Sequence, residues 1–146
     1  MSQVSKWDRR WLGMAEYVST FSKDPSTQVG AIIARNKEFL GFGYNGFPEG
    51  MSDHEALYED REYKYTRILH AEPNAIKNSW SKDLNGATIY TYPFQPCSKC
   101  ALQIINHGIK RVISLQPPKD KLERWAEDFA LTKELFIEGG VELIIV

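Results

Sequence analysis

One stretch decides the fold: ATIYTYPFQPCSKCALQIINHGIKRVISL, residues 87–115. Its first part, Ala87–Tyr92, is rich in β-branched and aromatic residues and predicts a strand. Cys97–His107 predicts a helix that ends at Gly108, because glycine commonly follows the last turn of a helix. Arg111–Leu115 predicts a second strand. Residues 87–115 therefore form a strand–helix–strand unit.

The flanking segments extend this unit on both sides and contain no internal repeat or domain boundary. The further elements predicted are a helix over Lys6–Phe21, a hairpin of strands Val29–Ala34 and Phe39–Tyr44, a helix within Asp53–Tyr65, a helix over His70–Trp80, a helix over Leu122–Ile137 and a strand over Val141–Val146. Helices that alternate with apolar strands after a hairpin predict an α/β fold with a mixed sheet covered on both faces. A single domain over residues 1–146 is expected.

Composition limits the classes of function. The chain has 146 residues, of which 42% are hydrophobic and 25% charged, as expected of a folded globular protein. A net charge of −1 argues against a large surface for polynucleotides. No apolar run approaches the roughly 18 residues of a membrane span, and the N-terminal segment MSQVSKWDRRW lacks a secretory hydrophobic region. Cytoplasmic residence is therefore expected.

Two short motifs carry chemistry: His70-Ala71-Glu72 and Pro96-Cys97-Ser98-Lys99-Cys100. Together they match H-x-E…P-C-x-x-C, the signature of zinc-dependent deaminases that act on nucleobases. His70, Cys97 and Cys100 supply three zinc ligands. A zinc ion with three protein ligands keeps a position for water, which is the arrangement of a catalytic site.

Glu72 is a carboxylate beside the ligands and is expected to act as a general acid and base. It can take a proton from the water, deliver it to a ring nitrogen of the base and help protonate the departing amine. Both motifs are expected where the chain enters a helix, where the positive end of the helix dipole favours thiolates.

Other interpretations of these residues stay open from the sequence. Cys97 and Cys100 are the only cysteines and could form a redox pair or a disulfide. Glu72 could serve only as a charge that complements a helix dipole. The metal could belong to a non-catalytic zinc module used for assembly, although structural zinc sites usually close with four ligands.

The chain resembles the deoxycytidylate (dCMP) deaminase family of the cytidine-deaminase-like superfamily. The resemblance lies in KDPSTQVGAII (Lys23–Ile33), GYNGFPEG (Gly43–Gly50), HAEPNAI (His70–Ile76) and PCSKCALQIINHGIKRV (Pro96–Val112). It implies a three-layer α/β/α fold with a five-stranded mixed sheet, and zinc-dependent hydrolysis of dCMP to dUMP and ammonia. A sibling activity on a nucleoside or on tRNA adenosine is the alternative.

The resemblance also implies roles for residues outside the zinc motif. Asn45 would contact the nucleotide sugar, and Ser26 and Thr27 would lie beside the substrate, at its phosphate. The Ala71 amide would face the base carbonyl, and a backbone group near Pro96 would accept a hydrogen bond from the amine.

Regulation and assembly follow from the same resemblance. Many family members are homo-hexamers that dCTP activates and dTTP inhibits, with Mg²⁺ on the triphosphate. The matching effector loop contains Gly43, Tyr44, Asn45 and Gly46. A glycine-rich turn would explain this loop equally well.

Two departures from the family pattern stand out. The segment Gln116–Lys119 lacks the tyrosine that relatives place near the substrate, and Pro73 replaces the small or aliphatic residue after the H-x-E motif. Pro73 is expected to be tolerated in the first turn of a helix.

The remaining polar and aromatic residues have simpler expected roles. His107 is expected at a helix C-terminus and His54 in a solvated loop. The tryptophans are expected in the core or an interface; these are Trp7, Trp11, Trp80 and Trp125. A solvated basic face is expected at Lys6, Arg9 and Arg10.

Overall fold

Five strands and seven helices follow one another along residues 4–146, the part of the chain that the computed structural model describes. In chain order these are α1 Lys6–Ser19, β1 Gly30–Arg35, β2 Glu38–Tyr44, α2 Glu55–Glu59, α3 Arg61–Arg67, α4 Ala71–Lys77, β3 Thr88–Tyr92, α5 Ser98–Asn106, β4 Arg111–Ser114, α6 Lys119–Arg124, α7 Ala126–Gly139 and β5 Glu142–Ile145. The first three residues of the N-terminal segment and of the predicted domain lie outside this range. None of the helices in it is long and apolar enough to cross a membrane.

The strands form one mixed sheet in the order β2-β1-β3-β4-β5. Strand β1 pairs antiparallel with both β2 and β3, whereas β3, β4 and β5 run parallel. The hairpin between β1 and β2 turns at Asn36, whose φ of 58° lies in the left-handed region that asparagine tolerates. Both the hairpin and the strand–helix–strand unit of residues 87–115 are confirmed.

Helices cover both faces of the sheet. On one face, Trp11, Ala15 and Val18 of α1 pack against Ile32 and other side chains of the sheet. The other face packs against α4, α5 and α7 in a larger apolar cluster, which contains Ala75, Ile104 and Phe136 among others. The three-layer α/β/α architecture is confirmed. The two zinc motifs are both on the second face.

Two predicted helices are each divided in the structure. The segment expected as one helix within Asp53–Tyr65 forms α2 and α3, because the Asp60 carboxylate accepts from Tyr63 N at 3.1 Å and starts a new helix. The helix expected over Leu122–Ile137 begins earlier, at Lys119, and breaks at Trp125 (φ −115°, ψ 19°) before α7. Helix α7 ends at Gly139 and is followed by the C-cap Gly140, whose φ is 72°.

The remaining helix predictions were correct in type but too long at the C-terminus. Helix α1 ends at Ser19 and α4 at Lys77, so Trp80 lies beyond α4 and is 65% exposed. The indole of Trp80 donates to Phe39 O at 2.8 Å. Trp11 is buried as expected, and Trp125 is half-exposed at the break between α6 and α7.

The capping box of α1 ties this helix to the sheet through Asp8. Ser5 and Asp8 exchange hydrogen bonds at the start of the helix. The Asp8 carboxylate also accepts from Tyr90 Oη at 2.6 Å and forms an ion pair with Arg111 at 3.1 Å. Burial alone would raise the pKa of Asp8, but the hydrogen bonds from Arg111 and Tyr90 outweigh it and hold this pKa below its usual range.

Replacement of Asp8 by asparagine should destabilise the fold in a pH-dependent way. A carboxyl group with a lowered folded-state pKa contributes stability above its unfolded pKa of about 3.9 and loses it as pH falls through the folded value. Asp8→Asn should therefore lower the free energy of unfolding by about 2 kcal/mol at pH 7. In thermal melts, the difference in stability between Asp8→Asn and the wild type should shrink below pH 4. Asp120→Asn, at an exposed position of α6, is the control, and an equal deficit at pH 3 and pH 7 would contradict this account.

Gly43 allows β2 to lie directly against α4. A Cβ atom there would overlap backbone atoms of Ala71 and Ala75 in α4. Asn74 reinforces the same contact, since its side-chain amide donates to Tyr44 O at 2.8 Å. The glycine thus sets the distance between the hairpin and the helix that carries Glu72.

The variant Gly43→Ala should push α4 away from β2. We expect a loss of about 1–3 kcal/mol in the free energy of unfolding, the usual cost of overpacking. Gly13→Ala in α1 is the matched control, because its added methyl group meets nothing within 4 Å. Equal melting temperatures for wild type and Gly43→Ala would show that the contact imposes no such constraint.

Candidate active site

Three potential metal ligands converge at the starts of two helices. His70 is the N-cap of α4 and Cys97 the N-cap of α5, while Cys100 lies in the first turn of α5. His70 Nδ1 lies 3.3 Å from Cys100 Sγ and 3.4 Å from Cys97 Sγ. All three donor atoms lie within 4.8 Å of one another. The two sequence motifs are thus brought together as predicted.

The donor set fits a zinc ion. Tetrahedral zinc with Zn–S near 2.3 Å and Zn–N near 2.0 Å places its donor atoms about 3.5–3.8 Å apart, close to the separations seen here. Both cysteines are free thiols, so they are not joined in a disulfide. No further His, Cys, Asp or Glu within residues 4–146 belongs to this cluster. Three protein donors leave one tetrahedral position for a non-protein ligand.

The cluster favours the thiolate form of Cys97. Its pKa is lowered to about 4, first by the hydrogen bond from Cys100 and then by that from His70, against the effect of burial. The hydrogen bond to Cys97 in turn raises the pKa of His70 to about 9. The hydrogen bond with Cys97 and burial both raise the pKa of the Cys100 thiol. Metal ligands must be deprotonated, so a cysteine that favours the thiolate is suited to bind a cation.

Glu72 lies in the first turn of α4, two residues after His70, and is only 4% exposed. Burial raises the pKa of its carboxyl group, with the nearby His70 charge acting in the opposite direction. A solvated charge that merely complements a helix dipole would not need such burial. Pro73 is the third residue of the same helix, so the expected tolerance of a first-turn proline is confirmed.

A cavity of about 390 Å³ opens beside these groups. Of the residues predicted to bind substrate or metal, those that line it are Ser26, Thr27, Asn45, His70, Ala71, Glu72 and Cys97. Cys100 is buried behind the lining, and Pro96, Gly43, Tyr44 and Gly46 are not part of the lining. The cavity is large enough for a small organic ligand.

Asn45 fastens the loop that carries Ser26 and Thr27. Its Oδ1 accepts from Val29 N at 2.9 Å, and its Nδ2 donates to Thr27 O at 2.9 Å and to Asp24 Oδ2 at 3.4 Å. Asn45 is 7% exposed. The side chain thus holds the loop in place at the cavity edge, while its contact with a sugar stays a prediction.

Charged residues of the cavity were the main omission of the sequence analysis. Five cationic side chains line it, namely Arg61, Lys64, Lys99, Lys121 and Arg124, against three anionic ones, Asp24, Glu72 and Asp128. This positive lining contrasts with the whole-chain net charge of −1. Because the chain as a whole is nearly neutral, the composition gave no signal of a local positive cluster.

Residues of α6 and the helix break after it line the cavity, although the preceding segment does not. The segment Gln116–Lys119 contributes nothing to the cavity, but Lys121, Arg124 and Trp125 line it shortly afterwards. Trp125 was expected in the core or an interface on the basis of a continuous apolar helix face. The break between the two helices instead brings its indole to the cavity.

The histidines and cations that were expected to have simpler roles lie where they were predicted. His107 caps the C-terminus of α5, where its Nδ1–H donates to Gln103 O at 2.8 Å. His54 is exposed at the start of α2 and belongs to no metal-ligating cluster of the described residues. Lys6, Arg9 and Arg10 are all exposed on α1.

Asp128 of α7 holds the first turn of α5. Its carboxylate accepts from the backbone N–H of Ser98 at 3.0 Å and from the Ser98 hydroxyl at 2.6 Å. Ser98 directly follows Cys97, so Asp128 fixes the turn that presents both sulfur atoms. Gln95 adds a buried bond from the same loop to Phe129 O at 3.2 Å.

Removal of the Asp128 carboxylate should loosen the metal site without touching a ligand. Outer residues that orient metal ligands commonly contribute at least tenfold to affinity, so Asp128→Ala should weaken zinc binding about tenfold. Competition with a chromogenic chelator measures this directly. Glu127→Ala, at the preceding exposed position, is the control. Unchanged zinc affinity in Asp128→Ala would show that the capping of Ser98 does not support the ligands.

Comparison with known proteins identifies the family. The model of the cytidine and deoxycytidylate deaminase zinc-binding region matches residues 5–116. An uncharacterized deaminase from the luxG 3′ region of Aliivibrio fischeri is 44% identical over 140 residues, which are 96% of this chain and 93% of that protein. The deoxycytidylate deaminase of Mus musculus is 40% identical over 142 residues, covering 93% of this chain and 77% of the mouse protein.

A solved structure supports the fold. The crystal structure of dCMP deaminase from the cyanophage S-TIM5 matches with a TM-score of 0.74 and 23% identity over the whole of both chains. The family match covers both motifs that converge on the three-donor cluster. The chain belongs to the cytidine and deoxycytidylate deaminase family of zinc-binding enzymes.

Proposed function

We propose that the chain catalyses the hydrolytic deamination of dCMP to dUMP and ammonia. The observation that carries this proposal is the juxtaposition of a three-donor metal cluster with the buried carboxyl group of Glu72 in one cavity. The deoxycytidylate deaminase of Mus musculus, at 40% identity, supports dCMP as the substrate. The cationic lining of the cavity favours an anionic nucleotide over a neutral nucleoside.

His70, Cys97 and Cys100 would hold zinc, which when bound lowers the pKa of water and so supplies a nucleophile near neutral pH. Glu72 is proposed as the proton shuttle. A buried carboxyl group with a raised pKa can accept a proton from water and keep it long enough to deliver it to the ring nitrogen of cytosine. It would then pass a proton to the amino group, which leaves as ammonia.

Backbone and loop groups are proposed to position the substrate. The Ala71 amide, at the start of α4 on the cavity wall, would donate to the base carbonyl, and backbone near Pro96 would accept from the amino group. Asn45 would contact the sugar, and Ser26 and Thr27 would lie at the phosphate. The position of Asn45, Ser26 and Thr27 on one edge of the cavity supports these roles.

Several wider properties are also proposed, the first and third from the sequence and the others from the family resemblance. They are, in order, a single catalytic domain, a homo-hexameric assembly, cytoplasmic residence, and activation by dCTP and inhibition by dTTP with Mg²⁺ at the loop of Gly43, Tyr44, Asn45 and Gly46. The packing of Gly43 against α4 and the bonds of Asn45 to its neighbouring loop provide a structural reason for these two residues that needs no effector.

A substrate panel tests the proposed function against its alternatives. Purified zinc-loaded protein should produce ammonia from dCMP with a higher kcat/KM than from deoxycytidine, dCTP or a tRNA anticodon arm. Preference for a nucleoside or the tRNA would assign a sibling activity. No turnover of any substrate, together with unfolding on metal removal, would assign a structural zinc module.

The variant Glu72→Gln keeps the size of the side chain but removes its ability to exchange protons. We expect kcat for dCMP to fall by about 10³-fold, within the range of general acid–base catalysis, while zinc content stays at one ion per chain. Glu134→Gln, at an exposed position of α7, is the control. A Glu72→Gln enzyme with near wild-type kcat would rule out the shuttle.

A further inference from the structure

Gln95 is a buried carboxamide in the wall of the cavity. It lies in the loop between β3 and α5, two residues before Cys97, and is only 2% exposed. Its Nε2 donates to Phe129 O of α7 at 3.2 Å. Because a backbone carbonyl oxygen only accepts hydrogen bonds, this contact fixes the nitrogen of the carboxamide on the side of Phe129 and its oxygen on the other side.

The oxygen of this carboxamide is free to accept a hydrogen bond from a ligand. Gln95 Oε1 has no hydrogen-bond partner among residues 4–146. Within the same residues, Thr132 Oγ1 is the one side-chain oxygen or nitrogen that is both fully buried and without a partner. Gln95 Oε1 is therefore not fully buried. Since the residue is otherwise covered and lines the cavity, this oxygen is reached from the cavity.

Two other side-chain acceptors of the cavity wall are already occupied by protein groups. Asn45 carries the other carboxamide of the wall, and its Oδ1 accepts from Val29 N at 2.9 Å. The two oxygens of Asp128 accept from the backbone and the hydroxyl group of Ser98. Gln95 thus supplies the carboxamide oxygen that the folded chain leaves open to a ligand.

We propose that Gln95 is a specificity-determining residue, whose Oε1 accepts a hydrogen bond from the amino group of cytosine and disfavours the oxo group of the product. This inference rests on the proposed deamination and deepens it. Two residues span at most about 7 Å between their Cα atoms, so Gln95 lies at the end of the cavity where Cys97 and the metal cluster are. The amino-bearing carbon must lie at that end to react. An amino group has two N–H donors, of which one is assigned to backbone near Pro96 and the other remains for Gln95.

The fixed orientation of the carboxamide makes it selective. Deamination replaces an amino group, which donates hydrogen bonds, with a carbonyl oxygen, which only accepts them. A carboxamide that rotates freely would turn its NH₂ group to the product, but Phe129 O holds Nε2 of Gln95. Two acceptor oxygens that face each other away from water both stay unpaired, so dUMP should bind more weakly than dCMP. Gln95 would thereby limit inhibition of the enzyme by its product.

The test compares the dissociation constants of dCMP and dUMP, which share the sugar and the phosphate and differ at the group that Gln95 would contact. Zinc-loaded Glu72→Gln protein is the background, because its slow turnover preserves dCMP during the titration. We expect dUMP to bind about tenfold more weakly than dCMP, and Gln95→Met in this background to bring the ratio of the two constants close to one. Gln103→Met, the same change at an exposed position of α5, should leave the ratio unaltered.

A purely structural role of Gln95 predicts a different result. Loss of the bond to Phe129 O would displace the loop and weaken the binding of both nucleotides by the same factor, which leaves their ratio unchanged. An unchanged ratio in Gln95→Met would therefore overturn the proposal. Should Gln95→Met fail to fold, the melting temperature of the Glu72→Gln protein decides. At equal concentrations dCMP should raise this temperature more than dUMP does, and equal shifts would also overturn the proposal.

The binding measurement separates this inference from the proposed function because it needs no turnover. Wild-type protein that releases no ammonia from dCMP, but prefers dCMP to dUMP through Gln95, would refute the deamination and leave the recognition of the amino group standing. Protein that deaminates dCMP while Gln95→Met leaves the ratio of the dissociation constants unaltered would do the reverse.

Discussion

The site depends on one geometric constraint: an imidazole from α4 and two sulfur atoms from α5 must meet within bonding distance of one cation. His70 and Cys97 both stand at helix N-caps, so the relative placement of two helix ends decides whether the cluster forms. Those ends are fixed from different sides. The close approach of β2 at Gly43 fixes the position of α4. The Asp128 carboxylate of α7 fixes the first turn of α5 through its hydrogen bonds to Ser98.

The same arrangement favours a catalytic zinc site over a structural one. Three donors leave a tetrahedral ion incomplete, and Glu72 is buried on the same helix as His70 without joining the described cluster. A buried carboxyl group has a free-energy cost that a merely structural zinc site would not require. Asp24 and Lys64 of α3 form a buried ion pair at the cavity, and buried ion pairs are weak contributors to stability. The burial of Glu72 is therefore better explained by ligand chemistry than by folding.

Much of the fold could be predicted from the sequence because it depends on local patterns. The strand–helix–strand unit of residues 87–115, the hairpin and the three ligands follow from apolar periodicity, glycine at helix ends and motif spacing. The break at Trp125 was missed, since the apolar residues of α6 and α7 continue the same helical spacing through it. Lys64 was missed for another reason: its partner Asp24 is 40 residues away, and only the folded chain shows that this lysine is buried.

The central claim is that one imidazole and two thiolates hold a zinc ion whose fourth position is not filled by protein. X-ray absorption at the zinc edge of the purified, zinc-loaded protein measures the ligand set directly. We predict two sulfur ligands at about 2.3 Å and two nitrogen or oxygen ligands at about 2.0 Å, one of which exchanges when a small anion such as cyanide is added. A spectrum without sulfur ligands, or a four-ligand shell that no added anion perturbs, would contradict the claim.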